Sequence, residues 1–343
     1  MSAGPRAWEA ALAVAEAQAL RGTRGANPLV GAVILGPDGA PLATGFHAGA
    51  GTAHAEVAAI SALPEAWRAR ADKLTLVVTL EPCRLRGRTG PCVEAVLASG
   101  LGTVVYAAPD PTVNAGGGER LRAAGVRVHG PADPASAERL NPRWNRARSQ
   151  GRPFVTAHLA QTLDGRVADR HGRGRWITSA ASREHAHAVR SRVGAILVGS
   201  GTVLADDPAL TVRLPGLPER EVPVIVAGSA PLPPGSRLAR RAAGGGDVVR
   251  VRGRDPLGLL RTTTAGHILL EGGPTLLGAF LDADLVDELF LYVAPTMLGP
   301  GTDATASLAP RDVASPLAFA HDAAGGEPQR LGDELLLHLT PLP

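Results

Sequence analysis

Three potential metal ligands, far apart along the chain, place the strictest demand on its fold. His54 opens a His-Ala-Glu triplet that ends at Glu56, and Cys83 and Cys92 follow, each directly after a proline. They are the only cysteines in 343 residues, and eight residues separate them. Zinc-dependent base deaminases carry a related pattern, H-x-E followed by P-C-x-x-C. The fold is expected to bring one imidazole and two thiolates to a single zinc ion.

The residues of this set divide between metal binding and proton transfer. His54 and Glu56 are two apart at the start of a predicted helix, so their side chains point in different directions. Cys92 lies in the first turn of the next predicted helix, where the amide dipoles lower the pKa of a thiol. Three protein ligands leave the fourth tetrahedral position for water, whose pKa zinc lowers from about 15.7 to near 7. Glu56 is predicted to take the proton of this water and pass it to the ring nitrogen and the leaving ammonia.

The composition excludes several other classes of protein. Hydrophobic residues make up 45% of the chain and charged residues 20%, as in ordinary globular proteins. Aromatic residues make up 3%, which leaves little from which to build stacking platforms for single-stranded nucleic acid. The chain has no run of eighteen apolar residues that predicts a membrane span. We expect a soluble cytoplasmic enzyme with no nucleic-acid or membrane partner, in which cysteine beside histidine indicates a metal site.

The length predicts two domains, and the order of predicted elements makes both of them α/β. The first contains helices at 6–21, 54–63, 92–99 and 119–124, and strands at 29–35, 41–46, 74–79, 103–107 and 126–129. The second contains strands at 154–159, 195–198, 222–226, 248–252, 268–270 and 288–293, and helices at 182–193 and 275–283. Between them the sequence turns polar over 131–151. We place the boundary there, with domains at 1–147 and 148–343.

Motifs along nearly the whole chain carry a resemblance to one family. In the first half they are 27–31 (NPLVG), 54–56 (HAE), 79–83 (TLEPC) and 87–92 (GRTGPC). In the second half they are 163–166 (LDGR), 176–179 (WITS), 202–211 (TVLADDPALT) and 271–275 (EGGPT). On these motifs the chain resembles the bifunctional riboflavin-biosynthesis deaminase–reductase family.

The resemblance implies a fold and two reactions. The folds are a cytidine-deaminase-like α/β/α sandwich and a C-terminal dihydrofolate-reductase-like α/β domain. One zinc ion per chain serves hydrolytic deamination of 2,5-diamino-6-ribosylamino-4(3H)-pyrimidinone 5′-phosphate. NADPH then reduces the ribosyl group to the ribityl chain of 5-amino-6-(5-phosphoribitylamino)uracil. The partners are thus phosphoribosylated pyrimidines, and the family also suggests a homo-oligomer.

The resemblance further implies two sets of binding residues. The cofactor set is Ala160, Trp176, Thr202, Asp206, Gly273, Pro274, Thr275, Leu276, Leu277, Gly278 and Ala279. The substrate set is Asn27, Arg88, Gly174, Arg190, Leu210, Arg213 and Glu271. Physical reasoning supports the segment that follows residues 267–270, because a strand, a Gly-Gly turn and Pro274 as first helical residue turn free amides toward a pyrophosphate. Arginine forks likewise suit a sugar phosphate.

The chain departs from the family pattern at several positions. Leu85 stands between Arg84 and Arg86 where a polar substrate contact is usual, and Thr112 replaces an asparagine. His158 stands in place of a lysine and provides only part of its charge at neutral pH. The changes at Leu85 and Thr112 leave the zinc chemistry intact and leave the details of substrate recognition open, and no role is assigned to His158.

Two other functions are compatible with parts of the sequence. One is a zinc deaminase acting on a base in RNA, with an accessory domain; the low aromatic content and the wide cysteine spacing count against it. The other is a nucleotide sensor or structural protein in which zinc only stabilises the fold. Glu56 argues against that function, because a structural zinc site has no use for a carboxylate at an open metal position. Each of these residues also has an interpretation without a binding role. The cysteines could be small buried side chains, Trp176 could pack in the core, and the arginines could lie on a solvated face.

Overall fold

The computed structural model describes residues 5–86 and 90–342 and divides into two compact units, Met1–Gly151 and Arg152–Pro343. Among the described helices, none combines the length and the apolar character needed to cross a bilayer.

The first unit is an α/β sandwich around a mixed sheet. Its helices are α1 (Pro5–Ala19), α2 (Ala55–Ser61), α3 (Glu65–Arg68), α4 (Cys92–Ser99), α5 (Gly117–Ala123), α6 (Ser136–Leu140) and α7 (Pro142–Ser149), with a 3-10 turn at Ala71–Lys73. Its strands are β1 (Gly31–Leu35), β2 (Pro41–Phe46), β3 (Thr75–Leu80), β4 (Thr103–Ala108) and β5 (Arg127–His129). They lie in the order β2-β1-β3-β4-β5, in which β1 is antiparallel to both neighbours and β3, β4 and β5 are parallel.

Side chains that alternate along the strands form two apolar faces of the sheet, and helices cover each face. Val33 and Val77 pack with α1, whereas Ile34 and Leu76 pack with α2 and α4 on the opposite face. Gly31 allows α1 to approach closely, since a Cβ there would lie 1.9 Å from the carbonyl oxygen of Ala15. Because α2 and α4 cover the same face, their N-termini meet beside the carboxyl end of β3.

The polar stretch before the boundary holds two helices that were not predicted. Leu140, Trp144 and Ala147 are buried at helical spacing within an otherwise arginine-rich sequence. Asn141, the N-cap of α7, binds a residue that is distant in sequence. Its amide accepts from the Leu29 N–H at 2.8 Å and donates to the Leu29 carbonyl at 2.9 Å. The stretch is therefore part of the first unit, and α7 runs across the expected boundary after residue 147.

The second unit is built on a larger, mainly parallel sheet. Its helices are α8 (Ala180–Arg190), α9 (Ser200–Asp206), α10 (Arg237–Ala243), α11 (Pro256–Leu260) and α12 (Pro274–Asp282). Its strands are β6 (Phe154–Thr162), β7 (Arg166–Asp169), β8 (Ala195–Gly199), β9 (Thr211–Val212), β10 (Arg220–Glu221), β11 (Val224–Ala227), β12 (Val248–Val251), β13 (His267–Leu270), β14 (Glu288–Ala294), β15 (Gly301–Asp303), β16 (Phe319–His321), β17 (Gln329–Leu331) and β18 (Glu334–Pro341).

The main sheet runs β12-β11-β8-β13-β6-β14-β18-β16. Its strands are parallel from β12 to β14, and β18 pairs antiparallel to β14 and to β16. α11 and α12 pack on one face and α8 and α10 on the other. A parallel sheet with antiparallel strands at its C-terminal edge is the dihydrofolate-reductase-like arrangement, which confirms the predicted fold class. Ligand sites in such sheets lie at the carboxyl ends of the parallel strands.

Most predicted elements are confirmed in kind and order. β2 and α4 have the predicted bounds, and the helix predicted from 54 begins at Ala55 because His54 is its N-cap. In the second unit the six predicted strands and two helices are present, whereas α9 to α11, β7, β9, β10 and β15 to β18 were not predicted. Most of these are too short to show periodicity.

Candidate active sites

The three predicted metal ligands meet in the first unit. His54 Nδ1 lies 3.1 Å from Cys92 Sγ and 3.6 Å from Cys83 Sγ, and the two sulfurs are 3.4 Å apart. Around a tetrahedral zinc, with Zn–S of about 2.3 Å and Zn–N of about 2.0–2.1 Å, such ligand atoms lie about 3.5–3.8 Å apart. The triangle therefore fits one zinc ion to within about 0.5 Å at each edge.

Local structure explains why these side chains converge. His54 has extended backbone as the N-cap of α2, Cys92 is the first residue of α4, and Cys83 follows β3. The Cys92 N–H donates to Cys83 Sγ at 3.3 Å. Hydrogen bonding from the Cys92 thiol holds the pKa of Cys83 well below its usual range, against the opposing effect of burial. The thiolate form of Cys83 is thus favoured by its surroundings. The pKa of Cys92 is raised instead, by its hydrogen bond with Cys83 and by burial, which is opposite to the direction expected from its place in the first turn of α4.

Glu56 lies in the first turn of α2 and is only 3% exposed. Burial raises its pKa, and hydrogen bonding to its own backbone and the charge of His54 oppose that rise. A carboxyl group with a raised pKa exchanges protons closer to neutral pH than an exposed one does. Its position beside the ligand triangle suits proton transfer.

A cavity of about 450 Å³ opens beside the triangle and Glu56. Asn27, predicted for substrate binding, lies in its wall, and its amide donates to His47 Nε2 at 3.0 Å. Nδ1 of His47 must then carry the proton, because it contacts the Ala53 carbonyl at 3.0 Å. Burial lowers the pKa of His47, which keeps the ring neutral. This pair orients the Asn27 amide.

Other lining residues were not predicted. They include His47, Asp110, Trp144 and Arg148. Trp144 and Arg148 lie on α7, and only the spacing of Leu140, Trp144 and Ala147 signals that helix in the sequence. Three positions depart from the family pattern. Of these, Thr112 lines the cavity, and Leu85 is 41% exposed and lies outside the cavity wall. Arg88, predicted for the substrate, lies outside the described residues.

The loop that carries Asp110 and Thr112 is ordered by a buried carboxylate. Glu81 Oε1 accepts from the N–H of Gly118 at 2.9 Å and of Gly116 at 3.2 Å. Asp110 in turn accepts from the Thr112 N–H at 2.8 Å, and burial raises its pKa. Glu81 therefore fixes one wall of the cavity through the backbone.

The second unit has a cleft of about 420 Å³ at the carboxyl ends of β6, β8 and β13. It contains many of the residues predicted for the cofactor, and one predicted for the substrate. They are Ala160, Thr202, Asp206, Gly273, Pro274, Thr275, Leu276 and Gly174. Gly273 is the N-cap of α12 and Pro274 its first residue, as predicted. The positive end of a helix thus faces the cleft.

The remaining cofactor predictions lie away from the lining of this cleft. Trp176 is 67% exposed, with the Arg183 guanidinium 4.6 Å from its ring centroid. On α12, Leu277 packs in the core, and a Cβ on Gly278 would lie 2.7 Å from the carbonyl oxygen of Ser307. Ala279 follows on the same helix. Only the first turn of α12 reaches the cleft.

The predicted substrate residues Arg190 and Glu271 bind each other. The guanidinium donates to both carboxylate oxygens at 2.7 Å and to the Thr211 carbonyl at 2.7 Å. Burial alone would raise the pKa of Glu271, but Arg190 outweighs it and the pKa is lowered. Arg213 is half exposed and donates to the Thr211 hydroxyl at 2.7 Å, and Leu210 is buried with a φ of 51°. These residues are next to the cleft without lining it.

His158 lines the cleft as a neutral group. Its Nε2 is buried without a hydrogen-bond partner among the described residues, and its ring meets Phe290 and Tyr292 edge to face. Burial lowers its pKa to about 3. The positive charge of a lysine is therefore absent from this position at neutral pH.

Both parts of the chain match known protein families. Residues 6–108 match the cytidine and deoxycytidylate deaminase zinc-binding region, and residues 153–314 match the RibD C-terminal domain. The riboflavin biosynthesis protein RibD of Mycobacterium tuberculosis is 39% identical over 96% of this chain and 95% of its own length. That of Escherichia coli is 34% identical over 94% and 96%.

Solved structures give the same result. RibD of Acinetobacter baumannii, form 1, superposes with a TM-score of 0.74 at 30% identity, covering 99% of this chain and all of that one. The diaminohydroxyphosphoribosylaminopyrimidine deaminase/5-amino-6-(5-phosphoribosylamino)uracil reductase of Thermotoga maritima superposes with a TM-score of 0.68 at 30% identity, covering 98% and 99%.

Proposed function

The chain belongs to the RibD family of riboflavin biosynthesis proteins, and on this premise we propose which residues carry each of its two reactions. It is a zinc-dependent deaminase and an NADPH-dependent reductase that acts on small molecules. The first unit deaminates 2,5-diamino-6-ribosylamino-4(3H)-pyrimidinone 5′-phosphate. The second reduces the ribosyl group of the product to the ribityl group of 5-amino-6-(5-phosphoribitylamino)uracil.

In the deaminase cavity, His54, Cys83 and Cys92 hold the zinc. When bound, zinc supplies the Lewis acidity that makes water a nucleophile near neutral pH. Glu56 accepts one proton from the attacking water and delivers it to the ring nitrogen as the C–O bond forms. It then transfers the second proton, from the new hydroxyl group, to the departing amino group, so that the C–N bond breaks and ammonia leaves. The Asn27 amide, oriented by His47, holds the pyrimidine.

In the reductase cleft, the protein binds and orients the cofactor and the substrate. Hydride is the chemistry that NADPH supplies when bound. The first turn of α12, from Gly273 to Leu276, receives the pyrophosphate because its amides and its dipole favour an anion. Thr202 and Ala160 line the same cleft and position the rest of the cofactor. Arg190 and Glu271 hold the adjoining wall, and Arg213 offers its exposed guanidinium to the sugar phosphate.

Two further properties are proposed on family membership alone. We propose that the enzyme acts in the cytoplasm and forms a homo-oligomer, as the family suggests. Sedimentation equilibrium of the purified chain tests the second point, and a mass equal to 35.1 kDa contradicts it.

The observation that carries the proposal is a ligand triangle of zinc dimensions with a buried carboxylate two residues along the same helix. The test follows ammonia and the ribityl product separately, from the purified chain and the diaminopyrimidinone ribotide, with and without NADPH. Glu56→Gln is expected to keep its zinc and to lose ammonia release.

The matched control is Glu94→Gln, since Glu94 is a half-exposed glutamate on α4 that pairs with Arg120. This variant is expected to release ammonia at the normal rate. Ammonia release by Glu56→Gln at the rate of Glu94→Gln would remove Glu56 from its assigned role. A purified chain with no stoichiometric zinc would refute the assignment of His54, Cys83 and Cys92 as zinc ligands.

A further inference from the structure

The reductase cleft has one arginine in its lining whose charge is not used within the fold. Among the described residues that line the cleft, Arg254 is the only lysine or arginine, and Asp206 is the only aspartate or glutamate. The Asp206 carboxylate already faces a cation, since Arg175 Nε lies 3.8 Å from its Oδ1. Arg254 is exposed, and it has no hydrogen-bond or ion-pair partner in the described part of the chain. Its five N–H donors are therefore available to a ligand in the cleft.

The backbone of Arg254 is held on both sides. β12 ends at Val251, whose carbonyl accepts from the Gly228 N–H at 3.0 Å and so ties the ends of β11 and β12 together. Gly253 then turns the chain with a φ of 103°, a conformation that favours glycine. Asp255 is the N-cap of α11, and its carboxylate accepts a backbone N–H of that helix at 2.8 Å. Arg254 lies between this turn and this cap, so its side chain starts from an ordered position at the edge of the cleft.

The strand order places Arg254 at the adenosine end of the proposed cofactor site. Ala160 of β6 lines the cleft on one side of β13, and Ala227 of β11 and Arg254 line it on the other. The first turn of α12, proposed for the pyrophosphate, follows β13 and lies between them. The nicotinamide must lie beside the substrate, on the side of Ala160 and Gly174, so the adenosine extends toward β11 and β12. β12 is three strands from β13, a separation of about 14 Å at about 4.8 Å per strand, which an adenosine ribose and an extended arginine side chain span together.

We propose that Arg254 binds the 2′-phosphate of NADPH and gives the reductase its preference for NADPH over NADH. The inference rests on the proposed reductase function. In dinucleotide sites a carboxylate that accepts from the ribose 2′-hydroxyl suits NADH, whereas an arginine accommodates the 2′-phosphate of NADPH. Here the neighbouring carboxylate, Asp255, is engaged at the start of α11, and the guanidinium fork matches phosphate oxygens. The two cofactors differ only in the 2′-phosphate, so a cation at this place discriminates between them.

The first test measures binding without turnover. Adenosine 2′,5′-bisphosphate and adenosine 5′-monophosphate differ only in the 2′-phosphate, and isothermal titration calorimetry of the full-length chain gives a dissociation constant for each. Wild type is expected to bind the bisphosphate about 10- to 100-fold more tightly, the range for a charged hydrogen bond. Arg254→Gln should lose most of this difference and keep its affinity for the monophosphate. Arg254→Lys keeps the charge without the fork and should retain part of the difference.

The second test is steady-state reduction of the deaminated substrate with NADPH or NADH. For Arg254→Gln we expect KM for NADPH to rise about 10- to 100-fold, with kcat for NADPH and KM for NADH within about twofold of wild type. Arg252→Gln is the matched control, because Arg252 is an exposed arginine of the same loop that lies outside the cleft lining. It should leave both KM values unchanged.

Several results would overturn the inference. Equal affinity of wild type for the bisphosphate and the monophosphate does so without any variant having to fold. An equal loss of affinity for both nucleotides in Arg254→Gln would show a structural role, and an unchanged KM for NADPH would assign the 2′-phosphate to other residues. The same rise of KM in Arg252→Gln would show an effect of net charge alone. Absence of reduction by wild type with either cofactor refutes the proposed reductase function instead, so the two failures are distinguishable.

Discussion

His158 in the reductase cleft should make the stability of the second unit depend on pH. Burial lowers its pKa from 6.5 to about 3. Between these values the unfolded chain binds a proton at this residue and the folded chain does not. The free energy of unfolding therefore rises as pH increases from 3 to 6.5, and stability is lost as pH falls through that window. At pH 7 the contribution is almost fully present.

The size of the effect follows from the same two pKa values. Lowering the pH from 7 to 5 should cost about 2 kcal/mol through His158 alone, by proton linkage. The assay is urea unfolding at pH 7 and pH 5, with pulsed hydrogen–deuterium exchange of the β6 peptide so that only the second unit is read. His158→Gln removes the titrating group, and its loss of stability on acidification should be smaller than that of wild type by this amount.

Other histidines do not confuse the comparison. His185 and His187, each with a pKa lowered to about 4 mainly by burial, titrate in both proteins and cancel in the difference. An equal acid-induced loss in wild type and His158→Gln would refute the argument that the fold holds this imidazole neutral.

Three further predictions concern the metal site and the core. Cys83→Ser should lose zinc and deaminase activity, measured by metal analysis and ammonia release, while NADPH-dependent reduction of the deaminated substrate continues. Arg152→Met should destabilise the second unit by about 3–5 kcal/mol, because it removes two hydrogen bonds of 2.6 and 2.8 Å to the buried Asp287; urea unfolding tests this, and a loss below 1 kcal/mol contradicts it. Gly117→Ala should bind zinc more weakly in chelator competition, because its Cβ would lie 1.7 Å from the Pro82 carbonyl oxygen and push α5 from the Cys83 loop.

Much of the fold could be predicted from local signals. The end of α4 could be predicted because Gly100 stops it, and in the structure Gly100 has a φ of 73°, a conformation that favours glycine. β2 follows a Pro-Asp-Gly turn and ends where glycine and polar residues return. Such elements are encoded by residues within a few positions of their ends, so reading the sequence locally is enough.

α7 could not be predicted in the same way. Its sequence is mostly polar, and its buried apolar side chains are Trp144 and Ala147, which follow Leu140 at the end of α6. What stabilises it is the Asn141 amide bound to Leu29, at a separation of 112 residues. A contact that distant leaves no periodic signal, and for this reason a wall of the deaminase cavity was assigned to the connection between domains.

The reductase residues show a different limit. Family resemblance assigned a continuous run from Gly273 to Ala279 to the cofactor, but consecutive residues of a helix turn by about 100° each. Only the first turn of α12 can face the cleft, and Leu277 turns into the core instead. The pairing of Arg190 with Glu271 spans 81 residues and depends on how α8 packs, which the sequence does not state locally.

Both candidate sites use the same structural device for different chemistry. In each, a parallel strand is followed along the chain by a helix whose first turn contributes to the site: α4 follows β3 and carries the ligand Cys92 in the first unit, and α12 follows β13 and borders the cleft in the second. The residues at the start of each helix differ in what they can bind. Cys92 places a sulfur ligand beside Cys83 and His54, whereas Gly273 and Pro274 place no reactive side chain at the start of α12 and leave the backbone open to an anion. The residues at these helix starts therefore contribute to the difference in what the two units bind, and His54, Cys83 and Glu56 complete the chemistry of the first unit.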